Sequence, residues 1–372
     1  MKSSLLLFLF KFVSIFRVGR KKQRLLVMKI DAIGDYILFR NFLSVLKADI
    51  AYKDYDFYIF GNIQWKEIYE AYDADFAIKA IWFDRSRHKN HLYLFWLLIR
   101  LSLISADLFL QPTHSRDFWC DFFSRRTPAR KKISSFGDDT NIGTDAKKRS
   151  DDFFDVLLPV KFLYEFEFLR NREFFSLLLE KEIKISKPSI SFSKIDGKPY
   201  VSIFLGASSS LKQFEKEKLF LFLKELASHD RNLKFVLLGS PKEKQMLELF
   251  PFSDFPNLEN MCGKTSLVQL IDQIGNSTAS ICYDSSGVHI AVATGVDKVV
   301  CISNGNHYGR FIPYPKSIVE NMLGFYPPEI KDELRKGREN LVLERYYTGA
   351  SLDINTIPLQ ETINDIFDYL KS

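Results

Sequence analysis

Short apolar runs alternate with amphipathic stretches along nearly the whole chain. Leu25–Ile30, broken only by Lys29, predicts a first strand. From Gly34 to Ala48 the apolar positions Ile37, Leu38, Phe42, Val45 and Leu46 fall on one helical face. Phe57–Phe60 reads as a second strand stopped by Gly61-Asn62, and Phe76–Trp82 as a third. His91–Ile104 is a very apolar helix, and Asp107–Leu110 a strand ended by Pro112. Arg125–Ser150 is basic, then polar, without a period; it predicts a strand near Arg130–Ser134 and a long loop. Tyr164–Leu179 is helical, and Lys187–Lys198, with Pro188, Gly197 and the following Pro199, reads as a linker. The alternation then restarts. Strands are expected at Tyr200–Leu205, Phe235–Leu238, Ala279–Tyr283 and Lys298–Ile302. Helices are expected at Glu215–Ser228, Glu243–Phe250, Ser266–Asn276 and Gly287–Thr294, with a last one at Leu359–Leu370.

Strands alternating with helices predict an α/β fold with parallel sheets. The length of 372 residues exceeds one ordinary core and predicts two domains. The expected boundaries are a 1–24 leading segment, an N-terminal Rossmann-like domain over 25–186, a linker over 187–198 and a C-terminal Rossmann-like domain over 199–350. A 351–372 helix is expected to pack back on the first half. Two doubly wound domains predict a central cleft that both face. Ligands of such sheets bind beyond the carboxyl ends of the strands, so the chemistry is expected at strand-to-helix turns.

Composition adjusts this picture in three places. The net charge is +6, from 52 basic and 46 acidic residues, which suits a phosphate-bearing ligand or an anionic membrane face. The charge is dispersed and no zinc-knuckle or RNP-type motif accompanies it, which argues against nucleic acid. The 35 Phe and 16 Tyr suggest broad apolar packing, with some aromatic surface left over for lipid as an expectation. Leu5–Phe16 is almost wholly apolar and is followed by Arg17, Arg20, Lys21, Lys22 and Arg24. That run is too short to span a bilayer. It reads as an interfacial anchor or as a helix packed on the protein itself, and the pattern leaves both open. Cys120, Cys262, Cys282 and Cys301 lack CxxC spacing and read as reduced buried thiols. The six histidines show no HxH or HxxxH pairing, so no metal site is expected.

Five turns carry candidate chemistry. Asp31-Ala-Ile-Gly34-Asp35 follows the first strand; Gly34 permits a tight turn, and Asp35 is either a first-turn acid favoured by the helix dipole or a proton acceptor. Gly206-Ala-Ser208-Ser209-Ser210-Leu-Lys212 offers small residues, hydroxyls and one cation to a phosphate, without Walker A spacing. Asp284-Ser285-Ser286-Gly287-Val-His289 brings backbone amides to a helix start, with Asp284 as an N-cap or a ligand group. Glu243, after Leu238-Gly239-Ser-Pro-Lys, is a first-turn acid or an acceptor for ribose hydroxyls. In Asn304-Gly-Asn-His307-Tyr-Gly-Arg310, His307 and Arg310 are surface-loop groups or contacts for an acceptor or diphosphate. Asp73-Ala-Asp75 matches the DxD pattern of metal-dependent glycosyltransferases but lies away from any strand-end turn, and is set aside.

Three segments together resemble glycosyltransferase family 9, the ADP-heptose:lipopolysaccharide heptosyltransferases. They are LLVMKIDAIGD (Leu25–Asp35), SIFLGASSSLKQF (Ser202–Phe214) and MCGKTSLVQLIDQIGNSTASICYDSSGVHIAV (Met261–Val292). The resemblance implies a GT-B fold and inverting, metal-independent transfer needing no cofactor. The donor is a nucleotide sugar, ADP-heptose being the family's, and the acceptor a lipopolysaccharide or other glycolipid or oligosaccharide. It makes the first domain the acceptor side and the second the donor side. It implies that Asp35 is the general base, that Lys212 holds the donor diphosphate with Ser208 and Ser209 beside it, and that Asp284, Ser285, Ser286, Gly287 and His289 form the donor turn. Glu243 corresponds to the ribose-binding acid. One departure is plain: Ser286 stands where the family form has glycine, and Gly287 follows. The expected location is cytoplasmic, peripheral to the inner membrane. A GT-B-like sugar-nucleotide epimerase and a non-catalytic sugar-nucleotide-binding protein are the alternatives.

Overall fold

The computed structural model describes residues 22–161, 163–349 and 352–372. The apolar run Leu5–Phe16 and the adjoining Arg17, Arg20 and Lys21 lie outside the described residues. The chain forms two compact units: 1–163 with 168–185, and 164–167 with 186–372.

Unit 1 holds one parallel sheet of six strands: β1 Arg24–Lys29, β2 Asp56–Asn62, β3 Lys79–Phe83, β4 Ala106–Gln111, β5 Ala129–Ser135 and β6 Val156–Leu158. Their order is β3-β2-β1-β4-β5-β6. Strands and covering helices meet in a core that includes Leu26, Met28, Phe60, Phe109, Leu97, Leu101 and Phe123. Arg24, read from sequence as the end of a basic flank, opens β1 instead. Its amide donates to Asp107 (3.0 Å) and its guanidinium to the carbonyl of Ile104 (2.8 Å). Gly61-Asn62 does not stop β2 but continues it. A Cβ on Gly61 would lie 2.1 Å from the Trp65 ring, so glycine here makes room for that indole.

The predicted Gly34–Ala48 helix is two helices, Ile33–Ile37 and Asn41–Ala48. The break falls where Arg40 turns to Asp73, giving it hydrogen bonds of 2.8 and 2.9 Å. Asp73 also accepts from Tyr36 Oη at 2.6 Å. The DxD-like pair is thus partly a structural carboxylate that holds the first of these helices in place.

Unit 2 repeats the architecture with β7 Tyr200–Phe204, β8 Lys234–Leu238, β9 Leu258–Asn260, β10 Ala279–Tyr283, β11 Lys298–Ile302 and β12 Met322–Phe325. Their order is β12-β11-β10-β7-β8-β9, again all parallel. Counted from the start of each unit, the first sheet reads 3-2-1-4-5-6 and the second reads 6-5-4-1-2-3, the same order from the other edge. That is the doubly wound order, in which the chain reverses direction between strands 1 and 4. The switch point lies between β1 and β4 in unit 1 and between β7 and β10 in unit 2.

Two expectations change in unit 2. The predicted linker 187–198 is pinned to this unit. The Ser193 amide donates to Asp272 (2.7 Å), the Ile195 amide to Asn276 (3.0 Å), and Phe192 packs where Gly275 has no Cβ. The last helix, Leu359–Lys371, packs on unit 2. Ile363, Ile366 and Phe367 recur at helical spacing and enter the core that contains Phe235 and Val300. Lys298 Nζ donates to the Leu370 carbonyl at 2.7 Å, which ties the helix end to β11.

Candidate functional site

In unit 2, both turns at the switch point carry candidate residues. After β7 the chain runs through Gly206 to a 3-10 turn, Ser210–Lys212, whose start Ser209 caps by accepting from the Leu211 amide (3.2 Å). Ser208 is exposed. Lys212 ends the turn with Nζ 3.1 Å from Asp284 Oδ2 and 3.4 Å from the Asp284 carbonyl. Asp284 is buried and also accepts from Ser303 Oγ at 3.3 Å. Its carboxylate therefore orients the lysine and does not cap the helix that follows.

That helix, Ser286–Thr294, starts at Ser285, whose backbone is extended. No side chain caps it, and Ser285 Oγ instead donates to the Tyr283 carbonyl (3.3 Å). A helix start without a side-chain cap leaves amide donors and the positive end of the dipole for an anion. Lys212 stands beside it through Asp284. Gly287 serves packing: a Cβ there would lie 2.3 Å from the Phe204 ring, and one on Gly206 would lie 2.7 Å from the same ring. The late glycine thus lets helix and loop close over Phe204 at the end of β7.

His289 lies one turn into the helix, fully buried, with Nδ1 2.8 Å from Tyr314 Oη. Burial pushes its pKa down to about 4; Asp284 opposes that shift and Lys212 adds to it. The imidazole is therefore neutral near pH 7 and acts as a hydrogen-bonding group, not a cation.

Three candidates belong to the scaffold. Glu243 is buried in a capping box, its Oε2 accepting from the Ser240 amide (2.8 Å) and hydroxyl (2.6 Å) and its Oε1 from Gln213 (3.2 Å). This is the first-turn reading, extended by a link to the loop after β7. Arg310 is buried against Glu167, with Nε 3.2 Å from Oε2, and its carbonyl accepts from the Glu167 amide (2.9 Å). Desolvating a guanidinium requires such a carboxylate, and Glu167 holds Arg310 in place through Nε. His307 takes a left-handed φ of 58° and lies 3.2 Å from the Tyr347 carbonyl through Nδ1; burial, then Arg310, lowers its pKa. Asn304, which opens the fifth candidate turn, donates to the Leu211 carbonyl (3.1 Å) and braces the lysine turn; sequence reasoning missed Ser303 and Tyr314. Ser303 and Asn304 directly follow β11, a position that signals them.

In unit 1, Asp35 lies in the first turn of helix Ile33–Ile37, half-buried, with Gly34 before it and no side-chain cap at Ala32. The turn is braced from behind. Trp65 Nε1 donates to the Asp31 carbonyl (3.2 Å), Asn62 to the Ile30 carbonyl (3.3 Å), and Tyr36 stacks on Trp65 at 3.9 Å. Asp31 carries a second carboxylate: its Oδ2 accepts from Thr113 Oγ1 (2.6 Å) and lies 2.9 Å from buried Lys29 Nζ. Thr113 follows β4, the other strand of the switch point. Pro112, which ends that strand in the sequence, was the available signal.

Two doubly wound parallel sheets, each with its polar turns at the switch point, are the architecture of the GT-B fold. Residues 174–334 match the family described as glycosyltransferase family 9 (heptosyltransferase). That match holds two of the three motifs read from the sequence, Ser202–Phe214 and Met261–Val292, and over those residues the chain is similar to the family. No curated protein matches. Among solved structures the chain is similar to a family 9 glycosyl transferase from Veillonella parvula, with TM-score 0.68, 14% identity, and 94% of this chain and 97% of that one covered. It is also similar to E. coli ADP-heptose LPS heptosyltransferase II, with TM-score 0.62, 14% identity, and 94% and 99% covered. E. coli heptosyltransferase WaaC with ADP-2-deoxy-2-fluoro heptose gives TM-score 0.61, 14% identity, and 92% and 100% covered. At this identity these structures speak to the fold.

Proposed function

We propose that the protein moves a sugar, heptose or a close relative, from a nucleoside-diphosphate donor to a lipopolysaccharide or other cell-surface glycan acceptor. Transfer is inverting and metal-independent, and takes place on the cytoplasmic side of the inner membrane. The observation that carries this reading is the Lys212–Asp284 pair beside the uncapped start of helix Ser286–Thr294. A fixed cation and a set of backbone amides stabilise the negative charge that grows on a departing diphosphate, the work a metal ion does elsewhere. Asp284 holds Lys212 in place, the Ser208 and Ser209 hydroxyls lie on the same loop, and neutral His289 offers a hydrogen bond without adding charge.

Asp35 accepts the proton of the acceptor hydroxyl. The acceptor oxygen forms a bond to the anomeric carbon as the bond from that carbon to the diphosphate oxygen breaks, with the electron pair leaving on the diphosphate. ADP-heptose is the donor of choice because E. coli ADP-heptose LPS heptosyltransferase II shares the fold, and residues 174–334, which hold two of the three motifs, match the heptosyltransferase family.

A panel of ADP-, GDP- and UDP-sugars assayed with glycolipid acceptors tests this. ADP-heptose is expected to give product with inverted anomeric configuration in the presence of a chelator. Asp35→Asn should lower kcat by about 10²–10⁴-fold, the usual worth of a positioned base, with little change in donor binding. Near-normal turnover of that variant would remove Asp35 from its role. Sugar-nucleotide epimerisation without transfer, or binding without turnover, would replace the proposal.

A further inference from the structure

The helix His91–Ile104 is apolar on both faces. Leu94, Leu97, Leu101 and Ile104 point into the unit 1 core. On the opposite side, Leu92, Trp96 and Leu103 are 74%, 62% and 47% exposed. Their spacing of four and seven residues sets them on one line, with half-buried Ile99 between Trp96 and Leu103. Ring contacts link the start of this helix to a further exposed aromatic. Phe118 on helix Phe118–Arg126 is 63% exposed and stacks edge-on with Trp119, which in turn meets the His88 ring just before Asn90 caps the first helix. A surface helix that is apolar all round needs an occupant for its outer face. At 14 residues it is too short to span a bilayer, and no helix among the described residues is long and apolar enough to do so.

Charge selects the occupant. Residues 85–104 contain Arg85, Arg87, Lys89 and Arg100 and no acidic residue. Arg85 is paired with Asp117, and Arg87 lies over the Tyr93 ring at 4.3 Å, while Arg100 is exposed along the edge of the stripe. A second copy of this face would set basic rim against basic rim, which a two-fold contact cannot avoid. The apolar segment 5–16 brings its own basic flank and meets the same repulsion. An anionic lipid surface satisfies both features: acyl chains take the leucines and the indole, and headgroups take the exposed Lys89 and Arg100. Tryptophan suits that boundary, with an apolar body and a polar N–H.

We infer that the outer face of helix His91–Ile104, together with Phe118, is a membrane-interface surface that seats unit 1 on anionic lipid. This goes beyond the transfer reading and stands without it, because lipid binding requires no turnover.

The test uses the full chain and vesicles of phosphatidylcholine alone or mixed with phosphatidylglycerol. Co-sedimentation is expected with the mixed vesicles and should weaken with salt. Leu92→Glu/Trp96→Glu should lower partitioning by about tenfold or more, the scale of withdrawing two large apolar side chains from lipid. Circular dichroism and nucleoside-diphosphate binding check that this variant is folded. A conservative variant covers the case in which it is not. Brominated acyl chains should quench the fluorescence of the wild-type chain on vesicles, and Trp96→Phe should remove most of that quenching. Three results would overturn the inference. One is unchanged partitioning of the charged variant with Trp96 unquenched. Another is a wild-type dimer in lipid-free solution that the charged variant converts to monomer. The third is loss of all vesicle binding in Leu6→Glu/Leu9→Glu while the charged variant binds as wild type.

Discussion

His289 shows how much a single residue's surroundings decide. Its depressed pKa of about 4 means that the folded protein binds this proton less readily than the unfolded chain, where the ordinary value is about 6.5. Stability from this group is present above pH 6.5 and is lost as pH falls towards 4, because protons then favour the unfolded state. At pH 5 the loss is about 2 kcal/mol relative to neutral pH. His307 is shifted in the same direction and adds to it. His289→Gln, which keeps a partner for Tyr314, should flatten the fall in urea-unfolding stability between pH 7 and 5; an unchanged slope would show that the imidazole titrates normally. The candidate residues were legible in the sequence to different degrees. Lys212 and Asp284 lie in strand-end turns, and their position announced them. Their pairing was hidden, since 72 residues separate them. The ion pair of Arg310 was not legible because its partner Glu167 is 143 residues away, and an arginine in a polar loop looks the same whether it faces solvent or a buried carboxylate.

At the scale of elements, Phe204 acts as the seat of the unit 2 switch point, with Gly206 and Gly287 closing over its ring. Gly287→Ala gains up to about 1 kcal/mol of helix propensity. It also forces a methyl group into a gap of 2.3 Å, and overpacking of this kind costs about 1–3 kcal/mol. Net destabilisation of about 1–2 kcal/mol is expected, together with weaker nucleoside-diphosphate binding as the helix start shifts. Phe204→Leu in the same chain should restore part of both; additive losses would show that the ring is not what the glycine accommodates. Long elements with clear alternation were legible: helix His91–Ile104 and strands Ala279–Tyr283 and Lys298–Ile302 have the expected bounds. Three-residue strands such as Val156–Leu158 and Leu258–Asn260 are too short to show a period. Helix Phe118–Arg126 was missed because four aromatic side chains within six positions, Phe118, Trp119, Phe122 and Phe123, blur its faces; its Asp117 cap, which accepts from the Cys120 amide, was the overlooked signal. Near Arg40 the Phe39, Phe42 and Leu43 amides donate to carbonyls three residues back, a tightening that the apolar pattern does not contain.

For the whole molecule, two units have separate cores, so the donor site proposed in unit 2 predicts a ligand effect on that unit. A nucleoside diphosphate at about 100 times its Kd should stabilise unit 2 by about 2.7 kcal/mol. In calorimetry this should raise the unfolding transition that reports unit 2, and Lys212→Ala should abolish the shift. A shift confined to unit 1 would reassign the ligand. The course of the chain also carries a consequence in time. Residues 164–167 belong to unit 2, yet 168–185 return to unit 1 before the rest of unit 2 is made. Glu167 therefore leaves the ribosome 143 residues ahead of the arginine that will neutralise it. At about 5–20 residues per second that is a wait on the order of ten seconds. Unit 2 cannot close around this buried pair until synthesis has passed Arg310.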